Sequence, residues 1–312
     1  MSNPLSLIFM GTPEFAQPIL KKLVESEDRV IVVVSQPDRP KGRGQQLKPP
    51  PVKTLALEHK LLVLQPEKVR EPEFIKKVQE LNPELIVVSA FGQILPKELL
   101  AIPKLGAINV HASLLPKYRG AGPIQYAILS GETETGISIM QMVEKMDAGP
   151  ILLQKAIPIE PFDTAGSLSQ KLSGLGAELL IEAIKLLKAG KIEPKPQDES
   201  QASFAPLLKK DDGKIDWQKS AEQIWRQVRA FNPWPGAFIG EGESQIKIWE
   251  VEPAQAQAEP GQVLEAHRRW IEVACGKGSL RIKELQPAGK KRMSAEAFLA
   301  GHKIKINDKF PA

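Results

Sequence analysis

The chain has 312 residues, 42% of them hydrophobic, and a formal net charge of +5. That length supports about two domains with cores of their own, and the longest apolar runs, such as Val30 to Val34 and Leu85 to Val88, are strand-sized and too short to span a membrane. No secretory signal pattern opens the chain, so a soluble, cytoplasmic protein is expected. The single cysteine, Cys275, excludes a disulfide framework, and four scattered histidines lack ligand spacing, so no metal is expected. The basic balance is mild, and charge placement matters more than the total.

Leu5 to Phe9 reads as a first strand. Gly11-Thr12-Pro13 follows as a turn with a candidate N-cap and a proline at a helix start. Phe15, Ile19, Leu20, Leu23 and Val24 then repeat at helical spacing. Val30 to Val34 and Leu85 to Val88 are further strands, and the helix carrying Phe74, Ile75, Val78 and Leu81 ends at Asn82-Pro83. Ala107 to His111 and Gly136 to Met142 complete the strands before a long helix over Leu172 to Leu187, with Gly190 just past its end. Such alternation predicts an α/β domain with a Rossmann-like, mostly parallel sheet and flanking helices.

Composition shifts after that helix. Pro194, Pro196 and Pro206 stand among polar residues, as in an extended linker. The expected organisation is a catalytic domain over 1–190, a linker over 191–208 and a second domain over 209–312. In the last part, a helix over Ala221 to Phe231 precedes strand-like runs at Gln245 to Val251, Trp270 to Cys275, Ser279 to Leu285 and Lys303 to Ile306. All five tryptophans fall here. Short strands between Gly and Pro turns predict a smaller C-terminal OB-like β-barrel domain.

The most telling chemistry is Asn109 and His111 with a lone Asp147. A strand repeats every two residues, so Asn109 and His111 share one face while Ile108 and Val110 share the other. The pair lies at a strand end, where an open α/β sheet places its ligand crevice. Asp147 stands in Met146-Asp147-Ala148-Gly149-Pro150, a tight turn able to aim a carboxylate back over the sheet. An amide donor, an imidazole and a carboxylate form a set suited to acyl transfer. A strand cap with two surface residues is the plainer alternative.

Three other segments stand out. Phe91-Gly92-Gln93-Ile94-Leu95-Pro96 follows a strand and is suited to wall a flat heterocycle, or is an ordinary strand-to-helix turn. Arg39 to Lys53 carries Arg39, Lys41, Arg43, Lys48 and Lys53, and Gly42-Arg43-Gly44 allows close backbone approach to a phosphate-bearing ligand. It lacks the glycine spacing of a dinucleotide fingerprint. The C-terminal part is rich in Lys and Arg, including Arg268, Arg269, Lys290, Lys291 and Arg292, with acids interspersed. Such barrels often bind nucleic acid, although fold alone assigns no function.

These residues resemble the folate-dependent formyltransferases. Asn109-Val110-His111-Ala112-Ser113-Leu114-Leu115-Pro116-Lys117-Tyr118-Arg119-Gly120 is similar to the central motif of that family, and the stretch from Gly136-Ile137-Ser138-Ile139 to Asp147-Ala148-Gly149 is similar to its second signature. Gln36 to Gly44, Asp212 to Trp217 and Arg229 to Gly236 resemble the members that act on charged initiator tRNA. The resemblance spans nearly the whole chain and weakens after about Val251.

It implies transfer of formyl from 10-formyltetrahydrofolate, as formyl donor, to the α-amine of methionine on initiator methionyl-tRNA, with no metal, no membrane partner and a monomeric enzyme. It implies Asn109, His111 and Asp147 as the catalytic set. The folate is expected against Ile94, Leu95, Ser113, Leu114, Leu115 and Pro116, and the tRNA against Lys41 and Arg43, with the barrel in support. Two readings compete: an inert RNA-binding module, against which the intact trio argues, and formylation of a nucleotide-linked amino sugar, against which the basic loop and the barrel argue.

Overall fold

Parallel strands need crossover helices, and the alternation of short β-branched runs with amphipathic helices supplies them through the first two thirds of the chain. The computed structural model describes residues 3–41 and 46–310. In chain order, β1 (Ser6–Gly11), α1 (Gln17–Val24), β2 (Arg29–Val34), the short hairpin β3 (Arg39–Lys41) and β4 (Gln46–Lys48), and α2 (Pro51–Glu58) lead to β5 (Val63–Leu64). Next come α3 (Pro72–Leu81), β6 (Leu85–Ser89), α4 (Lys97–Leu100), β7 (Ala107–His111), β8 (Arg119–Gly120), α5 (Pro123–Ser130), β9 (Glu134–Gln141), β10 (Ile151–Pro158), α6 (Ala165–Lys188) and β11 (Phe204–Ala205).

The main sheet has seven strands in the order β10-β9-β7-β6-β1-β2-β5. Pairs from β5 to β7 are parallel, whereas β9 joins β7, and β10 joins β9, antiparallel. The sheet is therefore Rossmann-like and mostly parallel. Strand β10 does not stand out in the sequence, because Gln154 and Lys155 break its apolar alternation and most of its residues are exposed or half-buried, as befits an edge. On one face Ile8, Met10, Val32, Val34, Ile86 and Val88 pack with Phe74, Val78, Leu95 and Leu99. Thr12 does not cap α1. Its hydroxyl instead donates to Phe91 O at 2.9 Å and accepts from Gln36 N, tying together the loops that follow β1, β6 and β2.

Two compact units divide the chain. The first holds the seven-stranded sheet and continues through residue 205, so that residues 191–205, read from sequence as linker, carry a bridge from Lys195 to Ile151 and the two-residue ladder of β11 with β8. The second gathers residues 124–133 and 159–168 with 206–312. Besides most of α5, its elements are α7 (Ala221–Ala230), β12 (Ala237–Ile239), β13 (Ile246–Ala254), β14 (Val263–His267), β15 (Trp270–Ala274), β16 (Ser279–Pro287), β17 (Met293–Ser294) and α8 (Ala295–Gly301).

All strand pairs in that OB-like sheet are antiparallel, in the order β12-β13-β16-β15-β14 with β17 beside β16. Helix α7 opens with a capping box between Ser220 and Gln223. Its Ile224 and Val228 join Trp217, Ile248, Val273, Leu280 and Ile282 in the core. Lys303 to Ile306, expected as a strand, is not one. The chain instead turns there, with Asn307 at φ +74° and Lys305 N donating to Asp308 Oδ2, and Ile304 still packs on the core. Among the described residues, no helix is long and apolar enough to cross a membrane.

Candidate active site

Strand β7 ends between β6 and β9, with Val88 opposite Asn109 on one side and Ser138 opposite His111 on the other. Ile108 and Val110 are buried on the far face, which leaves Asn109 and His111 together on the near one. The antiparallel strand β9 then runs back alongside and delivers the turn that carries Asp147. Asn109 Nδ2 donates to Asp147 Oδ1 at 3.4 Å, and His111 Nδ1 lies 3.7 Å from Asp147 Oδ2. The three residues predicted from spacing are thus brought to one point.

The hydrogen-bond inventory at that point is specific. Gly120 N donates to Asp147 Oδ2 at 2.8 Å, so the carboxylate is held by backbone on one oxygen and by Asn109 on the other. His111 Nε2 donates to Tyr118 O at 3.0 Å. The separation of 3.7 Å between Nδ1 and the carboxylate is longer than a hydrogen bond, which leaves that ring edge available to a third group. Asn109 uses one N–H on Asp147 and keeps a second for a ligand. His111 is 5% exposed, so a group bound there meets these dipoles with little competing water.

Backbone geometry explains the residue types. Asp147 has φ +48°, a left-handed conformation that aspartate tolerates better than most residues. At Gly149 a Cβ would collide with the Gln141 carbonyl, so only glycine lets the turn fold down onto β9. Gly120 has φ +120° and a Cβ there would lie 2.6 Å from Ala205 O. Gly120 and Gly149 therefore each serve a close approach.

The predicted folate residues separate into three groups. Ile94 is 72% exposed, while its neighbour Leu95 is 2% exposed and packs into the sheet's core. Ser113 and Leu115 are buried and tied to the antiparallel strands: Leu115 N donates to Ser138 Oγ, Ser138 Oγ donates to Ser113 O, and Gln154 Nε2 donates to Leu115 O. Leu114 and Pro116 are half-buried. An open cleft lies between Lys97, Leu100 and Ala101 on one side and Met142, Val143 and Lys145 on the other. Spacing alone did not mark the Met142 to Lys145 wall, although it directly precedes the Asp147 turn. Arg43 lies outside the described residues, and of Lys41 only the backbone is described. The hairpin bearing Lys41 is anchored at its base, where the Gln65 amide and the Lys53 ammonium bond Asp38 and hold its carboxyl below the usual range.

Sequence reasoning also missed Arg119 and Gln197. Arg119 is 1% exposed, and Gln197 Nε2 donates to both Asp147 O and Gly149 O, at 2.9 and 2.7 Å. The Tyr-Arg-Gly end of the central motif was a signal for the first. Nothing in the polar stretch around Gln197 marked the second.

Comparison with known proteins identifies the family. The formyl transferase family matches residues 5–184, and the formyl transferase C-terminal domain matches residues 207–303. The chain is 53% identical over 300 residues to a methionyl-tRNA formyltransferase of Trichlorobacter lovleyi, covering 96% of this chain and 95% of that protein. Among solved structures, a methionyl-tRNA formyltransferase from Clostridium thermocellum shares the fold with a TM-score of 0.55 at 18% identity, over 80% of this chain and 93% of that one. HypX from Aquifex aeolicus in complex with tetrahydrofolic acid also shares it, with a TM-score of 0.62 at 17% identity; 98% of this chain is covered, but the chain spans about half of that longer protein, 51%. With a family model over more than half its length and relatives half-identical from end to end, the chain belongs to the formyl transferase family, among its methionyl-tRNA formyltransferases.

Proposed function

We propose that this chain transfers the formyl group of 10-formyltetrahydrofolate to the α-amino group of methionine on charged initiator tRNA, acting as a single chain in the cytoplasm to supply translation initiation. The observation that carries this reading is the convergence of Asn109, His111 and Asp147 at the end of β7 in a chain half-identical to methionyl-tRNA formyltransferases over 96% of its length.

The amine nitrogen attacks the formyl carbon, the carbonyl oxygen takes the negative charge, and the bond from that carbon to the donor nitrogen then breaks. The attacking amine loses a proton and the departing nitrogen gains one, so the reaction consumes no oxidant and needs no enzyme nucleophile. Cys275 is in any case no nucleophile, since burial pushes its thiol up to about 12. Asn109 offers its second N–H to the oxyanion, and the Nδ1 edge of His111 offers another when the ring is protonated. Asp147, fixed by Gly120 N, takes up the amine's proton directly or through water.

Against a folate, the exposed Ile94 and the half-buried Leu114 and Pro116 offer contact surface, backed by the buried Ser113 and Leu115, and the cleft beside Met142 and Lys145 offers a second wall. Lys41 and Arg43 reach the acceptor stem, and the basic, tryptophan-bearing sheet of the C-terminal unit supports the tRNA. One assay tests the whole: 10-formyltetrahydrofolate is offered with methionyl initiator tRNA, glycinamide ribonucleotide and a nucleotide-linked amino sugar in competition. Formyl should appear on the charged tRNA alone. Preference for either small amine would overturn the reading.

A further inference from the structure

Arg119 is the largest fully buried charged side chain near the site, and its guanidinium is shielded from solvent. Nε and Nη2 donate to Gln197 Oε1 at 3.0 and 2.8 Å, while Nη1 and Nη2 form a forked pair with Glu199 at 3.1 and 3.0 Å. The amide of Gln197, with its oxygen held in this way, gives its two N–H groups to Asp147 O and Gly149 O. The same stretch of backbone acts from the other side. Tyr118 O, just before Arg119, accepts from His111 Nε2, and Gly120 N, just after it, donates to Asp147 Oδ2.

Only a side-chain amide has an acceptor for a guanidinium and two donors for a pair of carbonyls on one planar group. A carboxylate could keep the arginine but would repel the carbonyls. The Asp147 turn needs such support, because a left-handed residue persists only where its surroundings over-determine it. Segment 195–205 is also tied to the central motif independently of Gln197, since Tyr118 N donates to Ser203 Oγ and Arg119 N to Ser203 O, both at 2.9 Å.

We propose that Arg119 and Gln197 are positioning residues, a bridge by which segment 195–205 fixes the distance of the Asp147 carboxylate from His111 for formyl transfer. The proposal rests on the role given above to the trio. It makes a stretch that reads as a tether part of the active site.

The test compares Gln197→Glu, Gln197→Ala and His111→Ala in the full-length protein. Gln197→Glu keeps an oxygen for Arg119 and removes the two donors, and Gln197 itself is half-exposed, so the fold should survive. Both Gln197 variants should lower kcat about tenfold or more, as small misplacements of catalytic groups do, with KM for tRNA and folate within about twofold and an unfolding temperature lowered by no more than a few degrees. The amide proton of Gly120 provides a readout besides activity. Its hydrogen bond to Asp147 Oδ2 should weaken, and its exchange measured by NMR should accelerate about tenfold. Parent-like kcat and Gly120 exchange in Gln197→Glu, beside a crippled His111→Ala, would overturn the bridge alone. Parent-like turnover in His111→Ala would overturn the trio and the bridge with it. Should Gln197→Ala fail to fold, the Glu variant carries the test.

Discussion

The end of β7 and the outer face of the C-terminal sheet use polar side chains in opposite ways. Around Asp147 every polar group is aimed by a directed bond, much of it to backbone: Gly120 N, Tyr118 O and the paired carbonyls held by Gln197. On the C-terminal sheet most charges lie in side-by-side pairs at the surface, apart from Glu272, which is buried and also accepts from Ser279 Oγ. Arg281 bonds Glu272 and stacks over Trp270 at 4.8 Å, Lys283 pairs with Glu252, and Trp249 has Lys247 at 5.5 Å and Arg292 at 5.6 Å from its ring. Acyl transfer needs donors fixed where charge develops, whereas holding a polyanion needs only enough mobile cations and stacking faces. One mutation should therefore disable the first region and barely dent the second.

The largest effect expected is at the trio. His111→Ala and Asp147→Asn should each lower kcat by about a hundredfold or more while leaving KM for tRNA within a few-fold, the size associated with loss of one oxyanion donor or proton carrier. Steady-state kinetics on folded variants checks this. A drop confined to KM would move the trio from chemistry to binding and erase the contrast.

A middle effect is expected at Arg43. A guanidinium is a planar fork, Gly42 and Gly44 flank this one in the sequence, and an anchoring contact to phosphate or base is worth about 1–3 kcal/mol. Arg43→Ala should therefore cut kcat/KM for charged initiator tRNA about tenfold, with folate affinity unchanged, and Arg43→Lys should restore part of it. Parent-like activity at physiological salt would move recognition to the C-terminal sheet. On that sheet Arg292 is paired with Glu284, so Arg292→Ala should change KM for tRNA only two- to threefold and lower the salt slope of binding by no more than about one, the share of a single lateral surface charge. A tenfold loss there would mean that this face, too, is built on directed contacts.

Asn109, His111 and Asp147 were legible in the sequence because their placement follows from local rules: a two-residue period at a strand end and a glycine-bearing turn. The parallel sheet was legible for the same reason, since Val30 to Val34 and Leu85 to Val88 are buried on both faces and read as continuous apolar runs. What failed depended on tertiary partners. Strand β10 is an exposed edge with no alternation to read, and Ile304 and Ile306 look like strand residues until Asn307 turns the chain. Ile94 and Leu95 are adjacent and equally apolar, yet one is exposed and the other is core. Gln197 lies in a polar, proline-bearing stretch whose composition says linker, and only the approach of Arg119 and the Asp147 turn gives it a purpose.

The smallest effect expected separates the Arg119 bridge from its outer partner. Hydrogen bonds from Arg119, and then from Lys145, hold the Glu199 carboxyl at about 2, down from 4.5. A carboxyl lowered on folding contributes stability that is fully present above its unfolded value and is lost as pH falls through the folded one, so this contribution should persist from neutrality to about pH 4.5 and disappear toward pH 2. Glu199 is a largely exposed side chain, and screening by water keeps the effect small. Gln197 continues to hold Arg119 when Glu199 is neutral. Glu199→Gln should therefore leave kcat between pH 6 and 8 unchanged within about twofold, and should flatten the fall of unfolding temperature between pH 4.5 and 2 relative to the parent. If Glu199→Gln instead lowered kcat as far as Gln197→Glu, the ion pair rather than the amide would be setting the Asp147 turn, and the C-terminal sheet would no longer be alone in relying on surface charge.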